Sequence, residues 1–88
     1  MAFAVLFEKN AERQFLDLEK PVRERIAKKL RQLENDEFGS RHLKHGLPFF
    51  VEEVGQFRIA FKERADLGQK RVIFVGNHKD YEKWYKSQ

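Results

Sequence analysis

The chain has 88 residues, which is room for a single domain, residues 1–88, with one modest hydrophobic core. Its 41% hydrophobic and 36% charged residues exclude a disordered chain, and the absence of cysteine excludes a disulfide framework, thiol catalysis and the usual zinc sites. The net charge of +4 suits nucleic acid, an anionic membrane or an acidic protein as the partner, although small basic domains without such partners are common.

The first strand is predicted at residues 2–8, a short apolar run rich in β-forming residues. Because the run is apolar on both faces, we expect it to lie inside the sheet or to be covered on both sides. It lacks the basic start and long apolar segment of a signal peptide, and no stretch of the chain approaches the roughly 20 apolar residues of a membrane span. A cytoplasmic protein with no membrane partner is therefore expected.

A first helix is predicted to follow this strand. Asn10 is its expected N-cap, because an asparagine side chain can accept a hydrogen bond from the backbone of the first turn. Ala11, Phe15 and Leu18 then recur at helical spacing, so the helix should run to about Glu19.

A second helix is predicted to open at Pro21, since proline is well tolerated in the first turn of a helix. One face is an apolar stripe that should pack on the core, and the opposite face is basic. The basic face is interpreted either as a surface that contacts phosphates or as an ordinary solvated helix face. The stripe consists of Val22, Ile26, Leu30 and Leu33. The basic face consists of Arg23, Arg25, Lys28, Lys29 and Arg31.

Residues 35–47 form a connection without periodicity. Within it, RHLKHGL at residues 41–47 places two histidines beside two cations, a mixture that suits acid–base chemistry or phosphate binding and that is also common on plain surfaces. Lys44 and His45 are the candidates for phosphate contact in this segment. The neighbouring cations disfavour a divalent ion, so no metal site is expected.

Residues 49–77 are predicted to fold as three strands of an antiparallel meander. From Phe57 onwards apolar and polar residues alternate, so one face of this strand should be core and the other charged. Residues 72–75 are apolar on both faces, so the last strand is expected in the middle of the sheet. The charged face of the strand that begins at Phe57 consists of Arg58, Ala60, Lys62 and Arg64.

The turn between the first two strands of the meander sets their register. Gly55 and Gln56 suit a two-residue hairpin turn, in which glycine takes the positive φ of the first position. In that register Glu53 lies directly opposite Arg58 on the charged face. A carboxylate beside a guanidinium on a face that the core does not need is the strongest functional signal in the chain, although the two residues also suit an ordinary cross-strand ion pair.

A short C-terminal helix is predicted over residues 78–86, with Asn77 as its N-cap. Tyr81 should meet Trp84 and Tyr85 at helical spacing. These aromatic residues alternate with lysines, a mixture that suits binding of single-stranded RNA and equally suits a terminal helix docked on a core. The lysines are Lys79, Lys83 and Lys86.

Taken together, a strand, two helices, a three-stranded meander and a short helix resemble the RelE/ParE family of toxins from bacterial and archaeal toxin–antitoxin systems. The resemblance is carried by PVRERI at residues 21–26, LKHGL at 43–47, VGQFRI at 54–59 and FVGNH at 74–78. The pattern Gly76-x-His78-x-x-Tyr81 is similar to the ending of HigB-like members. The resemblance implies an α+β, RelE-like fold of order β-α-α-β-β-β(-α), in which two N-terminal helices pack on a four-stranded, largely antiparallel sheet.

The resemblance implies the toxin of a type II toxin–antitoxin system that cleaves messenger RNA on the ribosome and inhibits translation. The implied chemistry uses no cofactor and no metal, because the ribose 2′-hydroxyl attacks the adjacent phosphate. The implied partners are a cognate antitoxin protein, the ribosome and messenger RNA. Two alternatives stay open: a ParE-like inhibitor of DNA gyrase, and a non-catalytic relative that only binds RNA or its antitoxin.

The resemblance also assigns site residues. Arg58 matches the family's catalytic arginine and would stabilise phosphate charge in the transition state. Glu53 or His78 would serve as base and acid, and Tyr81 would stack on a nucleobase. RelE carries lysines where this chain has Val51 and Glu53, and the usual C-terminal arginine is absent. The residues expected to hold RNA are Lys44, His45, Lys62, Arg64, Arg71, Lys79 and Lys83.

Overall fold

A four-stranded sheet lies between helices on its two faces in the computed structural model, which describes residues 3–35 and 49–87. The elements are β1 (Ala4–Phe7), α1 (Lys9–Leu16), α2 (Lys20–Leu33), β2 (Phe50–Val54), β3 (Phe57–Arg64), β4 (Gln69–Asn77) and α3 (His78–Lys86). The strand order is β1-β4-β3-β2, with β1 parallel to β4 and the other neighbours antiparallel. The predicted α+β architecture is confirmed.

Helices α1 and α2 cover one face of the sheet. The apolar stripe predicted on α2 is confirmed, since Ile26, Leu30 and Leu33 are buried in one cluster with Ile59 and Phe61 of β3. Burying each aliphatic side chain of this kind contributes about 1.5–3 kcal/mol to folding. None of the helices in the described ranges is long and apolar enough to cross a membrane.

Helix α3 covers the opposite face of the sheet. Ala60 follows a core residue along β3 and therefore points to this second face, where it is buried in a separate cluster with Phe74 and Tyr81. The predicted contact between Tyr81 and Trp84 is confirmed, with 6.0 Å between ring centroids. Trp84 also stacks on Phe74 at 5.0 Å. The aromatic residues of α3 therefore dock the helix on the sheet.

A β-bulge interrupts the pairing of β3 with β4. The register shifts between Ala60 and Phe61, which leaves Ile73 as an extra residue in β4. Val72 and Val75 consequently join the core beneath α1 and α2, whereas Ile73 packs on the cluster beneath α3. Strand β4 lies between β1 and β3, so the prediction of a last strand in the middle of the sheet is confirmed.

The N-terminal strand corrects one prediction. Residues 2–8 are expected inside the sheet or covered on both sides, but β1 is an edge strand and Leu6 is 39% exposed. Val5 and Phe7 pack against the core, while Ala4 is exposed. A short apolar run does not show whether a strand is covered on one face or on both faces. Exposed apolar residues are common on protein surfaces, so apolar residues on both faces do not require both to be buried.

The bounds of the first helix also differ from the prediction. Helix α1 begins at Lys9, with Glu8 in an extended conformation at its N-cap, and Asn10 lies inside the first turn. The Glu8 N–H donates to the Val72 carbonyl at 2.8 Å, so the chain leaves the sheet at Glu8 and turns at once into the helix. The helix ends at Leu16, short of its predicted end.

The absence of a side chain at Gly76 makes room for the ring of Phe74. An added Cβ at position 76 would lie 2.7 Å from Cζ of that ring and 3.2 Å from Cε2. Because the ring is held in the cluster beneath α3, it cannot move without loss of packing. We expect Gly76→Ala to lower the free energy of unfolding by about 1–3 kcal/mol, measured by chemical denaturation and circular dichroism.

The control is the double variant Phe74→Leu with Gly76→Ala. Phe74→Leu replaces the ring that the new Cβ would meet by a shorter side chain. Gly76→Ala should therefore lower the free energy of unfolding less in the Phe74→Leu background than in the native chain. Losses that add without coupling would contradict the contact between the two positions.

Candidate active site

Arg58 lies on the β2–β3 hairpin, and the turn of this hairpin is the predicted Gly55-Gln56 dipeptide. Gly55 has a φ of 60°, a conformation that glycine adopts without steric cost. The register is as predicted, with Glu53 opposite Arg58. Arg58 Nη1 donates to the carbonyls of Gly55 at 3.4 Å and Phe57 at 3.2 Å, so the guanidinium folds back over the turn with 16% of the side chain exposed.

Helix α3 brings His78 to this hairpin. Asn77 is the N-cap, as predicted, and its Oδ1 accepts a hydrogen bond from the Asp80 N–H at 2.8 Å. The backbone N–H of His78 donates to the Gln56 carbonyl at 2.8 Å. This bond fixes the start of α3 against the turn, so His78 lies beside Arg58 although the two are 20 residues apart in sequence.

Four side chains form a continuous polar chain at this junction. Glu53 Oε1 lies 3.6 Å from Arg58 Nη2, and the same nitrogen lies 3.3 Å from His78 Nδ1. On the other side of the ring, His78 Nε2 lies 3.0 Å from Glu82 Oε1. A guanidinium has no acceptor, so Arg58 donates to Nδ1; the proton of the neutral ring is then on Nε2, where it is donated to Glu82.

Two clefts meet at Arg58 and His78, which line both of them. The first has a volume of about 470 Å³ and the second about 340 Å³. The first is also lined by Gly55, Gln56, Asn77 and Lys79. The second is also lined by Glu53, Tyr81, Glu82, Tyr85 and Lys86. The polar chain is therefore open to a ligand from both sides.

Tyr81 lines the second cleft but is itself buried. Its side chain is only 5% exposed, and its ring packs against Phe74, Trp84 and Tyr85 with centroids 5.9, 6.0 and 5.9 Å away. The hydroxyl is sealed from solvent and has no hydrogen-bond partner among the described residues. The predicted stacking of Tyr81 on a nucleobase is incompatible with this burial. Tyr85, which lines the same cleft and is only partly buried, offers the more accessible ring.

Burial raises the pKa of Tyr81, and the neighbouring Tyr85 acts in the same direction against the opposing charge of Arg58. The folded chain thus holds this proton more tightly than the unfolded chain. We expect the free energy of unfolding to fall as the pH rises above about 10, the ordinary tyrosine pKa, and to fall less in Tyr81→Phe. Denaturation curves of both proteins between about pH 8 and 11 measure the difference, and parallel pH profiles would contradict it.

Of the cations predicted to hold RNA, Lys79 lines the first cleft beside His78. Lys83 is exposed on α3 and lines neither cleft at Arg58. Lys44 and His45 lie outside the described residues. The structure therefore brings Lys79 to the site and leaves Lys83 on the surface of the helix.

Three further predicted cations lie away from Arg58. Arg64 is six residues further along β3, about 20 Å at the usual rise of a strand, and its Nη2 lies 2.9 Å from Asp66 Oδ2. The hydrogen bonds from Arg64 lower the pKa of Asp66. Lys62 lines a separate cavity between α1 and α3, and Arg71 is paired with Lys62 in the sheet. The structure does not bring these three cations to the site.

The basic face of α2 makes local contacts. Lys29 Nζ lies 3.5 Å from Glu52 Oε1 of β2, and Arg23 Nη1 lies 3.4 Å from the carbonyls of Leu16 and Leu18. These contacts connect α2 to the neighbouring strand and to the end of α1. Two of the five cations on this face thus have a structural role in the chain itself.

Sequence reasoning missed Glu82 as a residue of the site and named Lys86 only as one of the lysines of the C-terminal helix. Both follow His78 in steps of four along α3, so the three side chains share one face of the helix. A histidine followed four residues later by a glutamate on a predicted helix is the signal that identifies Glu82. Lys86 adds a cation to the second cleft.

Solved RelE structures share this architecture. A double mutant of the Escherichia coli toxin RelE in the free state is 20% identical, with a TM-score of 0.79 over 97% of this chain and 93% of that chain. The chain has the RelE fold. RelE-fold chains at 23% and 13% identity occur in the intact E. coli RelBE complex (TM-score 0.73, 86% and 96% covered) and in the archaeal RelE–RelB complex from Pyrococcus horikoshii (TM-score 0.70, 88% and 96% covered). No protein-family model and no curated protein matches the chain.

Proposed function

We propose that this RelE-fold chain is the toxin of a type II toxin–antitoxin system and acts as a metal-independent, ribosome-dependent endoribonuclease on messenger RNA. The observation that carries the proposal is the 3.3 Å contact between Arg58 Nη2 and His78 Nδ1 at the junction of two clefts. A planar cation that binds phosphate, next to an imidazole that accepts a proton, is the combination that RNA cleavage by its own 2′-hydroxyl requires.

In the proposed reaction the 2′-oxygen forms a bond to the adjacent phosphorus, and the bond from phosphorus to the 5′-oxygen breaks. His78 Nδ1 takes the proton of the 2′-hydroxyl, and water in the open cleft returns a proton to the leaving 5′-oxygen. The products are a 2′,3′-cyclic phosphate and a free 5′-hydroxyl. Arg58 donates hydrogen bonds to the phosphate oxygens as their charge develops.

Glu53 has two roles in this proposal. Its carboxylate lies 3.6 Å from Arg58 Nη2, the nitrogen that also contacts His78, so it helps to hold the guanidinium in place between the two clefts. With 63% of its side chain exposed it can also reach a substrate hydroxyl, which makes it the second candidate for the base. Glu53→Gln keeps the shape of the side chain and an oxygen that can accept a hydrogen bond from Arg58, but it cannot take a proton. A large loss of cleavage in this variant would therefore indicate the role as base, and a small loss would indicate that Glu53 mainly holds Arg58.

The proposal includes a cognate antitoxin, a cytoplasmic location and a single domain over residues 1–88. RelE-fold neighbours occur in complexes with RelB, which supports an antitoxin as the partner. The net charge of +4 favours an acidic segment in such a partner.

The test is controlled expression in bacteria with mapping of RNA 5′ ends. We expect translation to stop and new 5′-hydroxyl ends to appear inside translated messages, with the same cleavage in a purified translation system only when ribosomes are present. Filamentous cells with damaged DNA and intact messages would support the ParE-like alternative instead. Normal growth with intact messages would support a non-catalytic binding protein.

A further inference from the structure

Both ring nitrogens of His78 are engaged, and by partners of opposite character. Nδ1 faces the guanidinium of Arg58 at 3.3 Å, and Nε2 faces the carboxylate of Glu82 at 3.0 Å. His78 and Glu82 are one turn apart on α3, so the backbone of the helix sets their distance. The start of the helix is in turn fixed to the hairpin by the bond from the His78 N–H to Gln56.

We propose that Glu82 is a positioning residue that places the proton of neutral His78 on Nε2 and leaves Nδ1 as the basic nitrogen. The neutral ring has one donor and one acceptor. In the opposite tautomer an N–H would face a guanidinium that only donates, and a lone pair would face a carboxylate that only accepts. Both contacts would then be repulsive, so Glu82 and Arg58 select the same tautomer from opposite sides of the ring.

This role of Glu82 rests on the proposed nuclease function and explains how the site changes when RNA binds. A phosphate that enters the clefts competes for the donors of Arg58, which releases Nδ1 from its contact. Glu82 keeps its own contact, so the ring stays oriented with its lone pair towards the cleft. When Nδ1 takes the 2′-hydroxyl proton, the ring becomes a cation, and the carboxylate at Nε2 stabilises it.

The first test is the tautomer of His78, read from ¹⁵N–¹H correlations of the histidine rings at a pH where they are neutral. The signals of His78 are assigned by their loss in His78→Gln. Because Arg58 selects the same form, Glu82→Ala is compared in the Arg58→Ala background, where Glu82 alone can select the tautomer. We expect the native chain and Arg58→Ala to show the Nε2–H form, and Arg58→Ala with Glu82→Ala to shift towards a mixture of both forms. In the native background Glu82→Gln should resemble the native chain, because its amide oxygen can still accept from Nε2. An unchanged tautomer on adding Glu82→Ala to Arg58→Ala would overturn the proposal.

The second test is cleavage of a messenger RNA in a purified translation system. Because Glu82 acts through His78, we expect Glu82→Ala to lower kcat about tenfold with little change in KM, and Glu82→Gln to recover most of the loss. Glu12→Ala, which removes an exposed glutamate from α1, is the matched control and should cleave like the native chain. An equal loss in Glu82→Gln and Glu82→Ala, or a loss confined to KM, would contradict positioning.

The two readouts separate this inference from the proposed function. If the native chain cleaves no RNA and adding Glu82→Ala to Arg58→Ala still changes the tautomer, the nuclease proposal fails while the selection of the tautomer by Glu82 is supported. If the native chain cleaves RNA, but Glu82→Ala leaves kcat unchanged and its addition to Arg58→Ala leaves the tautomer unchanged, the role of Glu82 is overturned and the nuclease proposal stands.

Discussion

Arg58→Ala is expected to lower RNA cleavage about a thousandfold and to relieve the arrest of translation, because it removes the cation that stabilises the transition-state phosphate. The side chain is poised between Glu53 and His78 and reaches both clefts. The ion pair with the exposed Glu53 contributes only about 0–1 kcal/mol to folding, so the variant should remain folded. Initial rates in a purified translation system measure the loss, and thermal unfolding confirms the fold.

Two further variants sharpen this prediction. Arg58→Lys keeps the charge and loses the planar fork, so its rate should lie between those of the native chain and Arg58→Ala. Arg13→Ala removes an exposed arginine from α1 and should leave the rate unchanged, which controls for the loss of one positive charge. Arrest that persists undiminished in Arg58→Ala would place the chemistry elsewhere and would contradict the site.

The pairing of Glu53 with Arg58 could be predicted because residues close in sequence determine it. The positive φ of Gly55 sets the turn, and the alternation of apolar and polar residues sets the face of each strand. A slip by one residue would bury Arg58 and expose the core residue Ile59, so only one register satisfies both conditions. The N-cap at Asn77 was predictable for the same local reason.

The contact between His78 and Arg58 could not be derived from spacing, because it joins residues 20 apart through tertiary packing. It requires α3 to dock on the sheet through Tyr81 and Trp84. That docking also explains the corrected role of Tyr81. An aromatic cluster at helical spacing has the same pattern whether it faces a nucleobase or a core, and only the structure shows that the ring of Tyr81 is buried.

The cations predicted to hold RNA show that the alternation of residues along a strand indicates the face of a side chain but not its distance from the site. Arg58 and Arg64 share a face of β3, yet the length of the strand separates them by about 20 Å. Arg64 has its own partner in Asp66, whereas Arg58 is met by a helix from the far end of the chain. A strand pattern specifies the face of each residue, and the covering helix specifies which part of that face becomes a site.

The sheet that carries Arg58 depends on Phe61, three residues further along β3. The side chain of Phe61 is fully buried at 0% exposure, and its ring lies 5.8 Å from that of Phe50 on β2. It is paired with Val72 directly after the bulge. Phe61 thus joins both neighbouring strands to the core beneath α1 and α2.

Phe61→Ala is expected to lower the free energy of unfolding by about 3–5 kcal/mol, because it removes a buried ring and leaves a cavity that close-packed neighbours cannot fill. Domains of this size are stable by only about 5–15 kcal/mol, so a large part of the variant should be unfolded at 37 °C. Urea denaturation followed by circular dichroism measures the loss. Phe61→Leu keeps most of the volume and should lose less, and Leu16→Ala, at a position 59% exposed, should change stability by no more than about 0.5 kcal/mol. If Phe61→Ala were as stable as Leu16→Ala, the ring could not lie at the centre of the core.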